Sequence, residues 1–367
     1  MLLESVARGL ITPHRLFSAA AAVDRLAAAV PVPRGIERTS VDFDGFAAEW
    51  LTPEDPNSVT AQGDSAILYL HGGAYFFCGL NTHRHLAAAI GKAAGAPVLS
   101  VAYRQLPHAH LTQSIDDAVT AYHYLLDRGY QAHRLLICGD SAGEGLAFLT
   151  ALAIRDRGLP VPGALVALSP WAELDNTTRS AHPNARRDPI FRPILTDVVV
   201  DHGFTTTGRI DRALSATAHD FTGMPPALIQ VGSTEIFLPD AEHLTARYAA
   251  AAVSCRLEVY DNAPHVFQAP VLFFPKPVEP CIGSASSSST PSPLQPNHLR
   301  AQVLRKHPEM PLSALFESSV SPSVLFPRSE SPRFLSRLGP GRRQRGQPPA
   351  DRRRTRPLRP HHLRSGR

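Results

Sequence analysis

Between Ala66 and Ser169 the chain switches repeatedly between short, continuous apolar runs and longer helix-forming segments, and this alternation limits the fold more than any other feature. Ala66–Leu70, Val98–Tyr103, Leu135–Cys138 and Leu165–Ser169 have strand length, while His83–Ala94, Ile115–Asp127 and Ala142–Arg157 read as helices. Apolarity that is continuous, and not confined to every second residue, marks strands covered on both faces. Ile115, Val119, Tyr122 and Leu126 recur at the spacing of one buried helical face. The alternation predicts an α/β fold built on a mostly parallel sheet with helices on both faces. It lapses between Asp175 and Pro226, where Ile194–Val200 is one amphipathic helix, and resumes with strand Ala227–Val231, helix Pro239–Val253 and strand Arg256–Tyr260. An insertion of that size reads as a cap or lid element. Upstream, Ile36–Phe43 and Phe46–Leu51 flank Asp44-Gly45, the signature of a hairpin.

Charge divides the chain near Gln268. Residues 269–367 carry 17 Lys+Arg against 5 Asp+Glu, a net of +12, whereas residues 1–268 carry a net of −7. The same last segment holds 17 of the 34 prolines, the run Ser286–Ser289 and the Arg-dense stretch Arg352–Arg356. Without a periodic apolar face to offset the entropy of ordering, it is expected to be disordered. A nucleic-acid-binding arm is disfavoured, because the basic residues lack interleaved aromatics and a folded module. No apolar run reaches the roughly 18 residues of a membrane span, and the start of the chain lacks the pattern of a secretory signal. Residues 1–34 read instead as an Ala- and Leu-rich helical segment closed by Pro31 and Pro33. Four cysteines without C-x-x-C spacing, one of them inside a buried strand, point away from a zinc site or disulfide framework and toward a reducing cytoplasm. His83, His85, His108 and His110 lack the Cys, Asp or Glu partners of a metal site and read as solvated loop residues.

The candidate chemistry lies where strands end. Gly139-Asp140-Ser141-Ala142-Gly143 joins a buried strand to a helix, a sharp turn that lifts a serine hydroxyl clear of the sheet. Such a hydroxyl is a poor nucleophile without a base, and the base needs a carboxylate to fix its tautomer. Glu235 follows the strand ending at Val231, and His265 follows the strand ending at Tyr260. The chain order of serine, acid and histidine is that of an α/β-hydrolase. Asp240 and Asp261 compete for the acid role; Asp240 opens a helix, and Asp261 lies too close to His265 to come from a separate loop. His71-Gly72-Gly73-Ala74 follows the strand ending at Leu70, so Gly72 and Gly73, with Ala142, could supply backbone N–H groups to an oxyanion.

These segments, His71-Gly72-Gly73, Tyr103-Arg104, Gly139–Gly143 and the Glu235 and His265 loops, together resemble the hormone-sensitive-lipase-like family of α/β-hydrolases, especially its bacterial carboxylesterases. The resemblance covers about residues 10 to 268. It implies an α/β-hydrolase fold over residues 35–268, with a helical cap formed by residues 1–34 and a second segment near 175–220. It implies Ser141 as nucleophile, His265 as general base and acid, Glu235 as orienting carboxylate, and Gly72, Gly73 and Ala142 as the oxyanion hole. The implied activity is serine carboxylesterase or lipase chemistry on a small acyl ester of short to medium chain, with no metal or cofactor. The alternative is a hydrolase-like protein that binds a small molecule with little or no turnover.

Four positions depart from the family pattern. Ala74 replaces a third glycine, which is tolerable with ordinary dihedrals, and Glu144 stands where glycine usually follows the serine turn. His108 occupies the place of a usual glutamate after Tyr103-Arg104. Beyond Gln268 the family's helix gives way to Pro-, Ser- and Arg-rich sequence, which suggests a reading-frame change near Ala269 and a histidine loop deprived of a support. Asp117 reads as a framework ion-pair residue and Asp140 as a backbone holder.

Overall fold

The computed structural model describes residues 20, 22–54, 65–206 and 209–269. Most of the N-terminal segment 1–34, and everything expected of the tail beyond Ala269, lies outside the described residues. Among the described residues ten strands are formed: β1 Ile36–Asp42, β2 Ala47–Pro53, β3 Ala66–Leu70, β4 Val98–Ala102, β5 Leu135–Asp140, β6 Ala164–Leu168, the two-residue β7 Thr205–Thr206 and β8 Arg209–Ile210, β9 Ala227–Gly232 and β10 Cys255–Tyr260. Between them lie α1 Leu80–Ala94, α2 Leu111–Asp127, α3 Ala142–Asp156, α4 Thr177–Ala181, α5 Asn184–Arg187, α6 Pro193–Gly203 and α7 Leu238–Ala250. Eight strands make one sheet in the order β1-β2-β4-β3-β5-β6-β9-β10. Only β1 with β2 and β2 with β4 pair antiparallel; the other neighbours are parallel. Among the described residues no helix is long and apolar enough to cross a membrane.

The continuous apolar runs are explained by two cores, one on each face. Alternate residues of the central strands, among them Leu68, Leu70, Ile137, Leu165 and Val231, pack under α2, α3 and α7. Their neighbours Ile67, Tyr69, Leu136, Cys138 and Val166 face the core that holds Leu86, Ala87 and Ile90 of α1. A period-2 chain with both faces covered has no position left for polar residues. Each large apolar side chain so buried contributes about 1.5–3 kcal/mol.

Helix starts fall earlier than periodicity alone indicates, because polar residues ahead of the apolar stripe cap them. In α2 the His110 side chain accepts from Thr112 N, and the Gln113 side chain accepts from His110 N at 3.0 Å. In α1 Thr82 Oγ1 accepts from Gly79 N at 2.9 Å. Asp24, from the helical stretch 22–27, accepts from Thr82 N and Asn81 Nδ2, both at 2.8 Å, so a carboxylate from the N-terminal segment sits at the positive end of α1. Asp117 meets Arg104 through its backbone N–H and its guanidinium, the framework pair expected of it.

The topology gathers the loops of interest. The chain runs from β3 to β4 on one side, then returns to place β5 on the other side of β3. Open parallel sheets form their crevice at such a reversal, beyond the carboxyl ends of the strands. The register sets Leu70 of β3 beside Gly139 of β5, and Asp140 beside Leu168 of β6. Residues following β3, β5, β6, β9 and β10 therefore meet at one end of the sheet.

Candidate active site

Ser141 occupies the turn between β5 and α3 with φ 54° and ψ −121°, a conformation that costs a non-glycine residue on the order of 1–3 kcal/mol. Two hydrogen bonds hold it there: Ser141 N donates to Leu168 O at 2.9 Å, and Trp171 N donates to Ser141 O at 3.0 Å. The turn must also pass close under the β3 loop. A side chain at Gly143 would run into the carbonyls of Leu70 and His71, which is why the position after Ala142 holds glycine.

His265, on the loop after β10, bridges this serine and Glu235. Its Nε2 lies 2.9 Å from Ser141 Oγ, and its Nδ1 lies 2.8 Å from Glu235 Oε2. A carboxylate is acceptor-only, so Nδ1 carries the proton and Nε2 is left to accept from the serine hydroxyl. Glu235 is fully buried. Burial pushes its pKa up, and the hydrogen bond and charge of His265 with donors from Gly232 and Ser169 oppose that rise. Phe191 and Phe237 pack their rings against the imidazole, with centroids at 4.8 and 4.9 Å. Phe191 belongs to the 175–220 stretch, which thus reaches the histidine directly.

The competing carboxylate Asp240 is occupied elsewhere. It forms a buried pair with Arg179 of α4 at 2.9 Å and accepts from Ala172 N and Glu173 N.

The loop after β3 carries a correction. Gly72 N–H donates to Asp140 Oδ1 at 2.9 Å, so it is already committed and is unavailable to an oxyanion. Gly73 and Ala74 follow with φ 116° and 52°, and no described residue accepts from their N–H groups or from that of Ala142. Ala74 is therefore in the left-handed region and not in the ordinary one expected for it, at a cost of roughly 1–2 kcal/mol relative to a right-handed residue. The loop bends this way because Phe76 and Phe77 N–H groups both return to Gly73 O.

Behind the loop lies a buried polar network that the sequence reading missed. Asp140 accepts from Tyr69 OH at 2.5 Å and from Gly72 N, and its second oxygen lies 3.3 Å from His83 Nε2. Burial would raise the Asp140 pKa, but His83, Tyr69 and the Gly72 N–H outweigh it and hold it below the usual value. His83 is thus a buried residue of α1 and not a solvated loop histidine. His71 stacks on Tyr103 with centroids at 4.5 Å; burial, then nearby His83, lower its pKa to about 4 and keep it neutral.

Three more residues brace the site. Asn184 Nδ2 donates to Ser233 O and Glu235 O, at 2.9 and 2.8 Å. Asp188 accepts from Ile236 N at 2.8 Å and from Ile190 N and Phe191 N. Ser169, at the end of β6, touches both Glu235 and the histidine loop. A polar residue closing an apolar parallel strand was the available signal for Ser169; for Asn184 and Asp188, inside an irregular polar stretch, there was none.

Comparison with known proteins agrees with the geometry. A family model described as alpha/beta hydrolase fold matches residues 67–269. The chain is 38% identical over 230 residues to the acetyl-hydrolase of Streptomyces hygroscopicus, covering 60% of this chain and 72% of the relative. It is 33% identical over 219 residues to esterase LipU of Mycobacterium tuberculosis, covering 58% of this chain and 73% of the relative. Among solved structures, an esterase from the bacterial hormone-sensitive lipase family superposes with a TM-score of 0.64 at 33% identity, over 74% of this chain and 91% of that one. The chain belongs to the α/β-hydrolase family, within its hormone-sensitive-lipase-like group.

Proposed function

We propose that this protein is a serine carboxylesterase that hydrolyses small acyl esters of short to medium chain through an acyl-enzyme on Ser141. The observation that carries the reading is the unbroken line from Ser141 Oγ through His265 to Glu235, with contacts of 2.9 and 2.8 Å. Relatives named acetyl-hydrolase and esterase support it.

In this reading Ser141 Oγ attacks the ester carbonyl while His265 Nε2 takes its proton, and Glu235 stabilises the imidazolium. The oxyanion then forms beside the N–H groups of Gly73, Ala74 and Ala142, none of which has an acceptor among the described residues. Each such donor is worth about 3–4 kcal/mol in the transition state. His265 returns the proton to the leaving alkoxide, and water repeats the sequence on the acyl-enzyme to release the acid. Residues 175–220 act as part of a cap over the acyl side: Phe191 lies on His265, and Phe204 lies against Tyr75 of the oxyanion loop with centroids at 5.2 Å. The N-terminal segment is the other part we assign to the cap; its residue Asp24 is tied to the start of α1. A reducing cytoplasm is the setting we assign, supported by free thiols at Cys78, Cys138 and Cys255.

A series of p-nitrophenyl esters from acetate to palmitate tests the reading. Hydrolysis is expected to be fastest on the shorter acyl groups and weak on palmitate, and a fluorophosphonate should label Ser141 and stop turnover. A profile rising toward palmitate would remove the chain-length assignment, and a folded protein inert to every ester and to the probe would remove the reaction.

A further inference from the structure

We infer that Ser169 is a positioning residue for the same reaction, its hydroxyl joining the acid loop to the histidine loop; the inference rests on the esterase reading above. Ser169 Oγ donates to Glu235 Oε1 at 2.8 Å and accepts from Val266 N, next to His265, at 3.0 Å. The directions are fixed by chemistry: the carboxylate can only accept, the amide can only donate, and a hydroxyl does both. Ser169 N donates to Gln230 O at 2.7 Å, which locks the residue to β9 as well. One side chain on β6 therefore registers the loops after β9 and β10 against each other.

The geometry also settles which way Glu235 faces. Its Oε1 accepts from both Ser169 Oγ and Gly232 N, leaving Oε2 for His265 Nδ1. Without the hydroxyl the carboxylate keeps one donor on Oε1, and the Val266 N–H loses its acceptor. Ser169 is fully buried, so both bonds lie out of reach of bulk solvent.

Backbone strain points the same way. Ser169 has φ 53°, in the left-handed region where glycine sits freely and serine does not. A serine kept at a strained backbone position between the acid and histidine loops marks a position where the side chain itself is used.

Ser169→Ala and Ser169→Gly separate the hydroxyl from the backbone, because glycine suits the positive φ and both variants lack the donor. On p-nitrophenyl butyrate both are expected to lose kcat on the order of 10- to 100-fold with KM unchanged. In a Glu235→Ala background the added Ser169→Ala change should cost clearly less than it does in the wild type, since the link between the two loops is already broken at Glu235. Full kcat in the folded Ser169→Gly variant, or an equal loss in the Glu235→Ala background, would overturn the assignment alone. If the alanine variant does not fold, the glycine variant decides. A folded wild type with no esterase activity would overturn the esterase reading and this assignment with it.

Discussion

Glu144, three residues past the nucleophile, is fully buried in the first turn of α3, and neither carboxyl oxygen has a well-placed hydrogen-bond donor. Burial, and then the nearby Asp140 carboxylate, push its pKa well above 4.5, against a small opposing pull from the Gly139 backbone. It therefore holds its proton more tightly than an ordinary carboxyl group, which eases the conflict of a second negative charge beside a developing oxyanion. The unfolded chain releases this proton near 4.5 while the folded one retains it, so stability falls as pH rises from there to the folded value. Glu144→Gln should therefore gain on the parent with rising pH, by up to about 1.4 kcal/mol per unit. Denaturation midpoints at acid and alkaline pH measure the gap, and a gap that is constant with pH would refute the raised affinity of Glu144 for its proton. Ala74 gives a second test at this scale: Ala74→Gly should stabilise the fold by up to about 1 kcal/mol, read by urea denaturation, with kcat retained. A net loss of stability would show that the left-handed backbone is not the cost it is taken to be. That Ser141, Glu235 and His265 come together was legible because each follows a strand in a required order. The engagement of Gly72 was not, because the same glycine pattern fits a donor to substrate and a donor to Asp140; only the position of β5 beside β3 separates them.

At the scale of elements, the acid loop is held from two sides. From the sheet side Ser169 and Gly232 fix the Glu235 carboxylate; from the other side α5 and the residues after it fix the backbone, through Asn184 and Asp188. Asp188 is fully buried and satisfies three N–H groups with two oxygens. Asp188→Ala leaves those donors unpaired and should cost about 2–3 kcal/mol of stability. It should also lower kcat by freeing the 235–237 turn and Phe191 together. Equilibrium unfolding with steady-state kinetics checks both, and a variant with native stability would show that the clamp contributes nothing. Periodicity located α1, α2, α3 and α7, and capping residues explain why α1 and α2 begin earlier than their apolar stripes. It located α6 as well, but α4 and α5 are too short to show a period, and their side chains are occupied with Asp240 and the acid loop. Short polar helices whose work is done by hydrogen bonds leave no hydrophobic trace in a sequence.

Across the described molecule, the alternation of apolar runs and helices foretold a parallel sheet covered on both faces, and the two cores are its direct expression. Strand order was less accessible, since the reversal that puts β3 between β4 and β5 depends on how crossovers pack. That reversal brings the His71–Ala74 loop to the serine turn and makes separate motifs one site. The buried line from Asp24 through Thr82, His83 and Asp140 to Gly72 extends the site's support to the N-terminal segment, with successive contacts of 2.8, 3.1, 3.3 and 2.9 Å. Such a chain crosses four separate parts of the sequence, so no local pattern announces it. The proposed reaction depends on Ser141 as its nucleophile. Steady-state hydrolysis of p-nitrophenyl butyrate by the wild type and by Ser141→Ala, at matched folding, is predicted to show esterase turnover in the first and a loss of roughly 10⁴-fold or more in the second. Hydrolysis that survives the loss of Ser141 would contradict it.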